Sequence, residues 1–288
     1  MIRFKRPAIG FLMLAPVFPV ASAAELSPEA LKAWDAYVQT AEARMKDRVE
    51  AQKPFLWVDE DPARCRRVRA GEVLVASVDK DGSHSVPHGL IHAWMGAVFI
   101  PNVTVSDVLA VAQGYNHYKD IYKPAVVDAK LLDRTAEEDR YSMLWLQKVL
   151  FITSALDGEF KLCYFTLTPK RAYSVAQSTR LQEVREYGQP GEQKLPPDKG
   201  SGFLWRLYSI ARYEERDGGV YVELEVLGLS RGIPASLHWL VAPVVARLSR
   251  DSITLSLRET RGAVNSSAEV ANRSDLPTRR NASGFGSQ

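Results

Sequence analysis

The stretch FLWRLYSIARYEERDGGVYVELEVLGLS (residues 203–230) decides the fold of this chain. Two strand-like runs separated by Asp217-Gly218 are typical of an antiparallel hairpin with a two-residue turn. Such a turn predicts four facing pairs on one surface: Tyr213 with Val222, Ala211 with Leu224, Ser209 with Val226, and Leu207 with Gly228. Because this surface is apolar and has small residues at its centre, it suits a wall beneath a helix or a ligand.

The opposite surface of the same hairpin carries charge. Arg212 should face Glu223, with Glu225 nearby on the same side. This surface suits solvent, and an exposed cross-strand ion pair contributes less than about 1 kcal/mol. We therefore expect a solvent-facing ion pair here.

The segments before the hairpin indicate an antiparallel meander. Strand-like runs cover residues 72–78, 90–101, 126–134, 141–152, 159–168 and 172–184, with turn signals at Asp157-Gly158 and Thr168-Pro169 and a polar loop over residues 188–202. The first two runs should form a hairpin, and residues 104–115 and 116–122 should form two short helices. From residue 126 onward no helix intervenes, so consecutive strands should pair antiparallel.

A long helix should close the domain after Pro234. Its wide apolar face is formed by Leu237, Leu240, Val241, Val244, Val245 and Leu248, and Ile253 and Leu257 can extend it. A curved antiparallel sheet has one face to cover, and this helix can lie across it. The element order therefore predicts an α+β fold with a cavity between the sheet and the C-terminal helix.

Three stretches carry a resemblance to a known family. HGLIHAWMGAVFIPNVTVSDVLAVAQGYNHYKDIYKP (residues 88–124), residues 202–234 and SLHWLVAPVVARLSRDSITLSLRETR (residues 236–261) resemble the START-like (SRPBCC, helix-grip) superfamily, most closely its uncharacterised exported bacterial members. The resemblance implies a helix-grip fold, in which a curved antiparallel sheet of about six to eight strands wraps a long C-terminal helix. It also implies a cavity for lipids, sterols, aromatic polyketides or similar molecules. No catalytic set is implied.

The N-terminal residues predict export and an added arm. Arg3, Lys5 and Arg6 precede an apolar stretch that ends at Ala21-Ser22-Ala23, the layout of a signal peptide. We thus divide the chain into a signal peptide (1–24), an N-terminal helical arm (25–70), a START-like domain (71–262) and a disordered tail (263–288). Cleavage should follow Ala23 or Ala24 and release a periplasmic or extracellular protein.

Charge and composition narrow the classes of partner. The leader carries three of the 37 Lys and Arg residues and none of the 34 Asp and Glu residues, so the mature chain is neutral. A neutral chain does not favour nucleic-acid binding. We expect no cofactor, no metal site and no transmembrane segment in the mature chain, whereas transient contact with a membrane surface stays open. Whether Cys65 and Cys163 form a disulfide is also open.

Aromatic and histidine side chains supply the candidate ligand-binding residues. They are His92, Trp94, His117, Tyr118, Tyr122, Trp145 and Tyr208. Apolar pockets hold their ligands with a few polar groups of this kind. The leading hypothesis is an exported protein that binds an apolar or amphipathic small molecule, lipid-like or aromatic.

Two alternatives remain beside this hypothesis. One is an enzyme of the cyclase, hydratase or isomerase type, with His92 or His117 as the base and a tyrosine as its acid partner. The other is a protein-interaction module in which residues 27–50 dock a partner and the core is filled.

Overall fold

A computed structural model describes residues 24–79, 82–149 and 152–274. The predicted signal peptide, except for Ala24, lies outside the described residues. The helices are α1 (Pro28–Val49), α2 (Pro62–Arg69), α3 (Val105–Ala112), α4 (Tyr118–Ile121) and α5 (Ala235–Ser274). The strands are β1 (Ala24–Glu25), β2 (Leu74–Ser77), β3 (Ser83–Val86), β4 (Gly89–Pro101), β5 (Val126–Arg134), β6 (Asp139–Val149), β7 (Ile152–Thr168), β8 (Arg171–Arg185), β9 (Gln193–Lys194), β10 (Lys199–Gly200), β11 (Arg206–Arg216) and β12 (Gly219–Arg231).

One large antiparallel sheet forms the centre of the molecule. Its strand order is β2-β4-β12-β11-β8-β7-β6-β5, with β3 added beside β4 and β9 beside β8. Irregular registers between β5 and β6 and between β7 and β8 bend these strands, as β-bulges do. The long helix α5 packs on one face of the sheet, so the predicted helix-grip fold is confirmed.

The β11–β12 hairpin has the predicted register. Arg216 pairs with Gly219 across the turn, and the four predicted facing pairs are all present. Asp217 and Gly218 both have positive φ, 56° and 80°, which is the geometry of a type I′ turn. The local turn chemistry therefore fixes which side chains face the helix.

One predicted connection between strands is wrong. Asp157-Gly158 is not a turn, because β7 continues through it and Gly158 pairs with Leu181 of β8. A Cβ atom at Gly158 would lie 2.8 Å from Leu181, so close packing requires a glycine there. The predicted hairpin of the first two runs is formed by β2 and β4, and the segment between them also contains β3, which pairs with β4.

The N-terminal arm lies on the face of the sheet opposite α5. Helix α1 begins as predicted, with the Ser27 hydroxyl accepting a hydrogen bond from the Ala30 amide. Its apolar stripe, including Trp34, Val38 and Met45, is buried against β4, β11 and β12. Within the described residues, this stripe is buried against the sheet and is not exposed to a partner. This does not favour the docking role considered for residues 27–50.

The arm overturns the expected exposure of the Arg212 ion pair. The Arg212 and Glu223 side chains are both 0% exposed, and Glu225 is 4% exposed. Arg212 donates to Glu223 at 2.9 Å and to Glu225 at 3.3 Å. Glu223 also accepts hydrogen bonds from the amides of Trp57 and Val58, so the arm seals the pair.

Helix α5 is longer than predicted. It continues to Ser274, and Val264 within the expected tail is fully buried, so residues 263–274 are helical rather than disordered. Residues 275–288 lie outside the described residues. In the described part of the chain, no helix has the length and apolarity needed to cross a membrane.

The buried anchor of α5 lies in the predicted extension of its apolar face. Ile253 and Leu257 are buried against the sheet, whereas Val241, Val245 and Leu248 are only half-buried. The first half of the helix therefore overhangs the sheet and leaves space beneath it.

Candidate functional site

A cavity with two adjoining lobes lies between the sheet and α5. The lobes have volumes of about 360 and 350 Å³. They meet at shared lining residues, among them Leu207, Val226 and Ile253. Ligand pockets in proteins have volumes of about 300–1,000 Å³, so either lobe can accept a small molecule.

We call the first of these spaces the histidine lobe; it contains His92, Trp94, Ser230 and Arg231 under the first half of α5. His92 is hydrogen-bonded through Nε2 to the Ser230 hydroxyl at 2.8 Å. Burial lowers the pKa of His92 to about 4, so the imidazole is neutral at neutral pH. Arg231 donates to the Ser201 carbonyl at 3.2 Å and brings a positive charge to the lobe.

We call the second space the tyrosine lobe. It is lined by Tyr118, Tyr122, Tyr141, Tyr164 and Tyr213, with apolar side chains from the strands and Thr260 from α5. Its floor includes Ser209, Ala211, Val222 and Leu224, the wall predicted from the hairpin. Small residues in the middle of this wall leave the space open, since bulkier side chains there would fill it.

Most tyrosine hydroxyls in this lobe are held by the protein. Tyr118 donates to the Ala112 carbonyl at 2.5 Å, Tyr122 bonds Thr260 at 2.9 Å, and Tyr213 bonds Ser174 at 3.3 Å. Burial raises the pKa of Tyr118 and Tyr122, and it raises that of Tyr213 to about 12. These phenols therefore stay protonated and present largely apolar ring surface to the cavity.

Five of the seven predicted candidate residues line the cavity. His92 and Trp94 belong to the histidine lobe, and Tyr118, Tyr122 and Trp145 belong to the tyrosine lobe. The other two residues lie elsewhere.

Tyr208 points away from the cavity and contacts the arm. Its hydroxyl donates to Glu42 at 3.2 Å, on the face of the sheet opposite α5. His117 ends a short 3-10 turn (Tyr115–His117) and is exposed. Neither residue is among those that line the two lobes.

Several lining residues were missed in the sequence. Tyr141 and Met143 lie on the same face of β6 as Trp145, so strand alternation with period two could have found them. For Tyr164 on β7 and Arg231 at the end of β12, no predicted candidate lay on the same strand to indicate them by alternation. Their positions depend on how β7, β12 and α5 pack together.

The described residues provide no metal centre: no three His, Cys, Asp or Glu side chains come together there in a way that could hold an ion. Cys65 and Cys163 are both free thiols rather than a disulfide. Cys65 lies in the arm, with its Sγ 3.9 Å from the Tyr221 hydroxyl.

Among the described residues, neither His92 nor His117 is hydrogen-bonded to a tyrosine, and the partner of His92 is Ser230. His92 lies in the histidine lobe, and the tyrosines that line the described cavity all belong to the other lobe. A base with a pKa of about 4 is also far from the value that suits proton transfer at neutral pH. The geometry favours a binding site.

The solved structures similar to this chain include proteins of the START-like superfamily. The STAR-related lipid transfer protein from Xanthomonas axonopodis has a TM-score of 0.43 and 17% identity, over 67% of this chain and 98% of that chain. Human STARD10 has a TM-score of 0.44 and 11% identity, over 74% and 83% of the two chains. The Zhui aromatase/cyclase from Streptomyces has a TM-score of 0.39 and 12% identity, over 63% and 98%.

No family model matches the chain. No curated protein matches it either. The solved structures named above include the kind of protein that the sequence resemblance implied, at identities below 25% and TM-scores below 0.5.

Proposed function

We propose that this protein is exported and binds an apolar or amphipathic small molecule, lipid-like or aromatic, in the cavity between its sheet and α5. The observation that carries this proposal is the pair of adjoining lobes, each with mostly apolar walls and a few oriented polar groups. Burying apolar surface of a ligand there is favourable by about 25 cal/mol per Å². The half-buried first half of α5 provides the wall of the histidine lobe.

Binding can be tested with Nile red, an uncharged dye whose fluorescence rises in apolar surroundings. Val226 lies where the two lobes meet, so Val226→Trp should fill the junction and abolish the fluorescence increase. Val270→Trp makes the same exchange at a side chain that is 68% exposed and should leave it intact. Thermal unfolding of each variant checks that the fold persists.

Two results would overturn the binding proposal. One is dye binding that survives Val226→Trp in a folded protein, which would place the dye outside the cavity. The other is the absence both of Nile red binding and of any small molecule retained in native mass spectrometry of the protein purified from its own host.

Export is supported by the basic, apolar and small-residue regions of the N-terminus. It predicts a mature chain that begins at Ala24 or Glu25. N-terminal sequencing of the protein recovered from periplasmic and extracellular fractions tests this. A chain that keeps residues 1–23 in those fractions would contradict it.

We include transient membrane-surface contact in the proposal because the start of α5 exposes apolar side chains. Trp239 is 75% exposed and Leu240 is 54% exposed. Trp and Leu at a protein surface can insert at the headgroup level of a bilayer. Sedimentation with phosphatidylcholine and phosphatidylglycerol vesicles should decrease in the Trp239→Ser/Leu240→Ser variant.

The matched control for vesicle binding is Val270→Ser at the other end of α5. It also removes an exposed apolar side chain, but far along α5 from Trp239 and Leu240. Equal sedimentation of the wild type and of both variants would exclude a role for Trp239 and Leu240 in membrane contact.

A further inference from the structure

The tyrosine lobe has no charged wall. Among the described residues that line it, none is Asp, Glu, Lys, Arg or His. The histidine lobe differs, because Arg231 brings a cation to it. An ion placed in the tyrosine lobe would lose its hydration without gaining a counter-charge, which is strongly unfavourable.

Among the tyrosines that line the lobe, one hydroxyl is available to a ligand. Tyr141 lines the lobe, and its hydroxyl has no hydrogen-bond partner among the described residues, unlike those of Tyr118, Tyr122 and Tyr213. The hydroxyl oxygen is also accessible rather than fully buried, so it faces the open space of the lobe. Burial raises the pKa of Tyr141, which keeps the hydroxyl protonated.

The ring of Tyr141 is held in a fixed position. It stacks on Tyr115 with 4.5 Å between ring centroids, and on Phe160 with 5.0 Å between centroids. Tyr115 is itself fixed, because its hydroxyl donates to Asp139 at 2.9 Å. Asp139 in turn accepts two hydrogen bonds from Arg134, at 2.7 and 2.8 Å. A donor held in this way loses little freedom when it binds.

We infer that the tyrosine lobe selects uncharged ligands, and that the Tyr141 hydroxyl orients them by donating a hydrogen bond to a carbonyl or hydroxyl oxygen. This inference rests on the proposed function and names the class of molecule that the cavity takes. The rings around the lobe suit a flat or ring-containing body, because aromatic side chains contact such surfaces well.

The experiment uses two probes with the same ring skeleton, fluorenone and fluorene, which differ by one carbonyl oxygen. Tyr141→Phe removes the hydroxyl and keeps the stacked ring. The variant should bind fluorenone about five-fold more weakly than the wild type, the usual effect of losing one neutral hydrogen bond. Its affinity for fluorene, measured by tryptophan fluorescence, should change less than two-fold.

The matched control is Tyr122→Phe, which removes a lining hydroxyl that is already bonded to Thr260. It should leave the ratio of the two affinities unchanged. The requirement for an uncharged ligand is tested in an Arg231→Gln variant, in which no cation lines the described cavity. This variant should bind fluorene carboxylate at least about ten-fold more weakly than it binds fluorenone.

The outcomes separate this inference from the proposed function. If Nile red and fluorene bind in the cavity but Tyr141→Phe weakens both fluorene probes equally or neither, the role of Tyr141 is wrong and the binding function stands. Tight binding of the carboxylate to Arg231→Gln would likewise overturn the selection of uncharged ligands. If Nile red and both fluorene probes fail to bind the folded wild type, the binding function itself fails.

Discussion

The two faces of the β11–β12 hairpin differ in chemistry although their side chains alternate along the same strands. On the arm face, Arg212, Glu223 and Glu225 form a buried ion network. On the cavity face, Ser209 and Ala211 alternate with them and leave open space under α5. The arm covers the charged face, whereas the uncharged face borders the cavity.

This difference indicates how the sheet can stay rigid while one of its faces borders a cavity. A cavity removes packing contacts from one face, and each unfilled region lowers stability. The arm supplies packing and hydrogen bonds to the other face, including those from Trp57 and Val58 to Glu223. We infer that the arm holds the central strands in place while the opposite face stays unfilled.

The largest effect should follow from breaking the ion network. Arg212→Met removes the only buried cation that contacts both Glu223 and Glu225 among the described residues. Removing one partner of a buried ion pair lowers the free energy of unfolding by about 3–5 kcal/mol, and here Glu223 is left without a cation, whereas Glu225 keeps its ion pair with Arg44. Urea denaturation followed by circular dichroism measures this loss.

The control for that change is Arg67→Met in α2. Arg67 and Glu72 form an ion pair whose side chains are 60% and 43% exposed. The variant should lose far less stability than Arg212→Met, because exposed ion pairs contribute little to folding. Similar losses in the two variants would show that the arm does not seal the Arg212 network from water.

A pH-dependent effect should come from the cavity face. The pKa of His92 is about 4 in the folded chain, below its ordinary value of 6.5. The unfolded chain therefore takes up the proton first, and stability that is complete above pH 6.5 decreases as the pH falls towards 4. The loss should reach up to about 3 kcal/mol.

The variant His92→Gln isolates this effect, since Gln can still bond Ser230 but does not titrate in that range. Unfolding free energies of the two proteins are compared between pH 7 and pH 4. The wild type should lose more stability than the variant over this interval. Parallel curves would mean that His92 is not kept neutral by burial.

The contact between α5 and the sheet gives a third prediction. A Cβ atom at Gly96 of β4 would lie 2.6 Å from Ile253 and 2.7 Å from Leu257. Gly96→Ala should therefore push α5 outward and lower the free energy of unfolding by about 1–3 kcal/mol. Calorimetric melting measures the change.

Gly262→Ala serves as the control for overpacking. A Cβ atom at Gly262 meets no atom within 4 Å, and the residue lies within α5. Alanine has a higher helix propensity than glycine, so this variant should gain up to about 1 kcal/mol. A loss at Gly262 as large as that at Gly96 would argue against close packing of α5 on β4.

The features that depend on local chemistry could be predicted from the sequence. The Asp217-Gly218 turn sets the hairpin register by itself, and Ser27 and Pro28 mark the start of α1. Asp157-Gly158 carries an equally strong local turn signal, yet it lies within a strand. There the packing of Leu181 and Trp145 around Gly158 outweighs the local preference.

The features that depend on distant segments could not be predicted. The burial of Arg212 is caused by an arm about 160 positions earlier in the chain, as the bonds from Trp57 and Val58 to Glu223 show. The exposure of His117 depends on how its 3-10 turn packs. Tyr208 is different, because it alternates with Leu207 and Ser209, so the predicted hairpin register by itself places it on the face opposite the cavity. The free hydroxyl of Tyr141 becomes evident only when the partners of its neighbours are known.

The smallest effects come from one substitution made on each face of β11. Tyr208→Phe removes a hydrogen bond to Glu42 on the arm face, and Tyr213→Phe removes one to Ser174 on the cavity face. The first should lower the free energy of unfolding by about 1 kcal/mol and leave Nile red affinity unchanged. The second should change stability by less than about 0.5 kcal/mol, because its 3.3 Å bond is long. It should shift Nile red affinity, because the Ser174 hydroxyl, which also lines the lobe, loses its tyrosine partner and becomes available to the dye. If Tyr208→Phe altered dye binding while Tyr213→Phe did not, the ligand would lie on the arm side of the sheet, and the assignment of the two faces would be reversed.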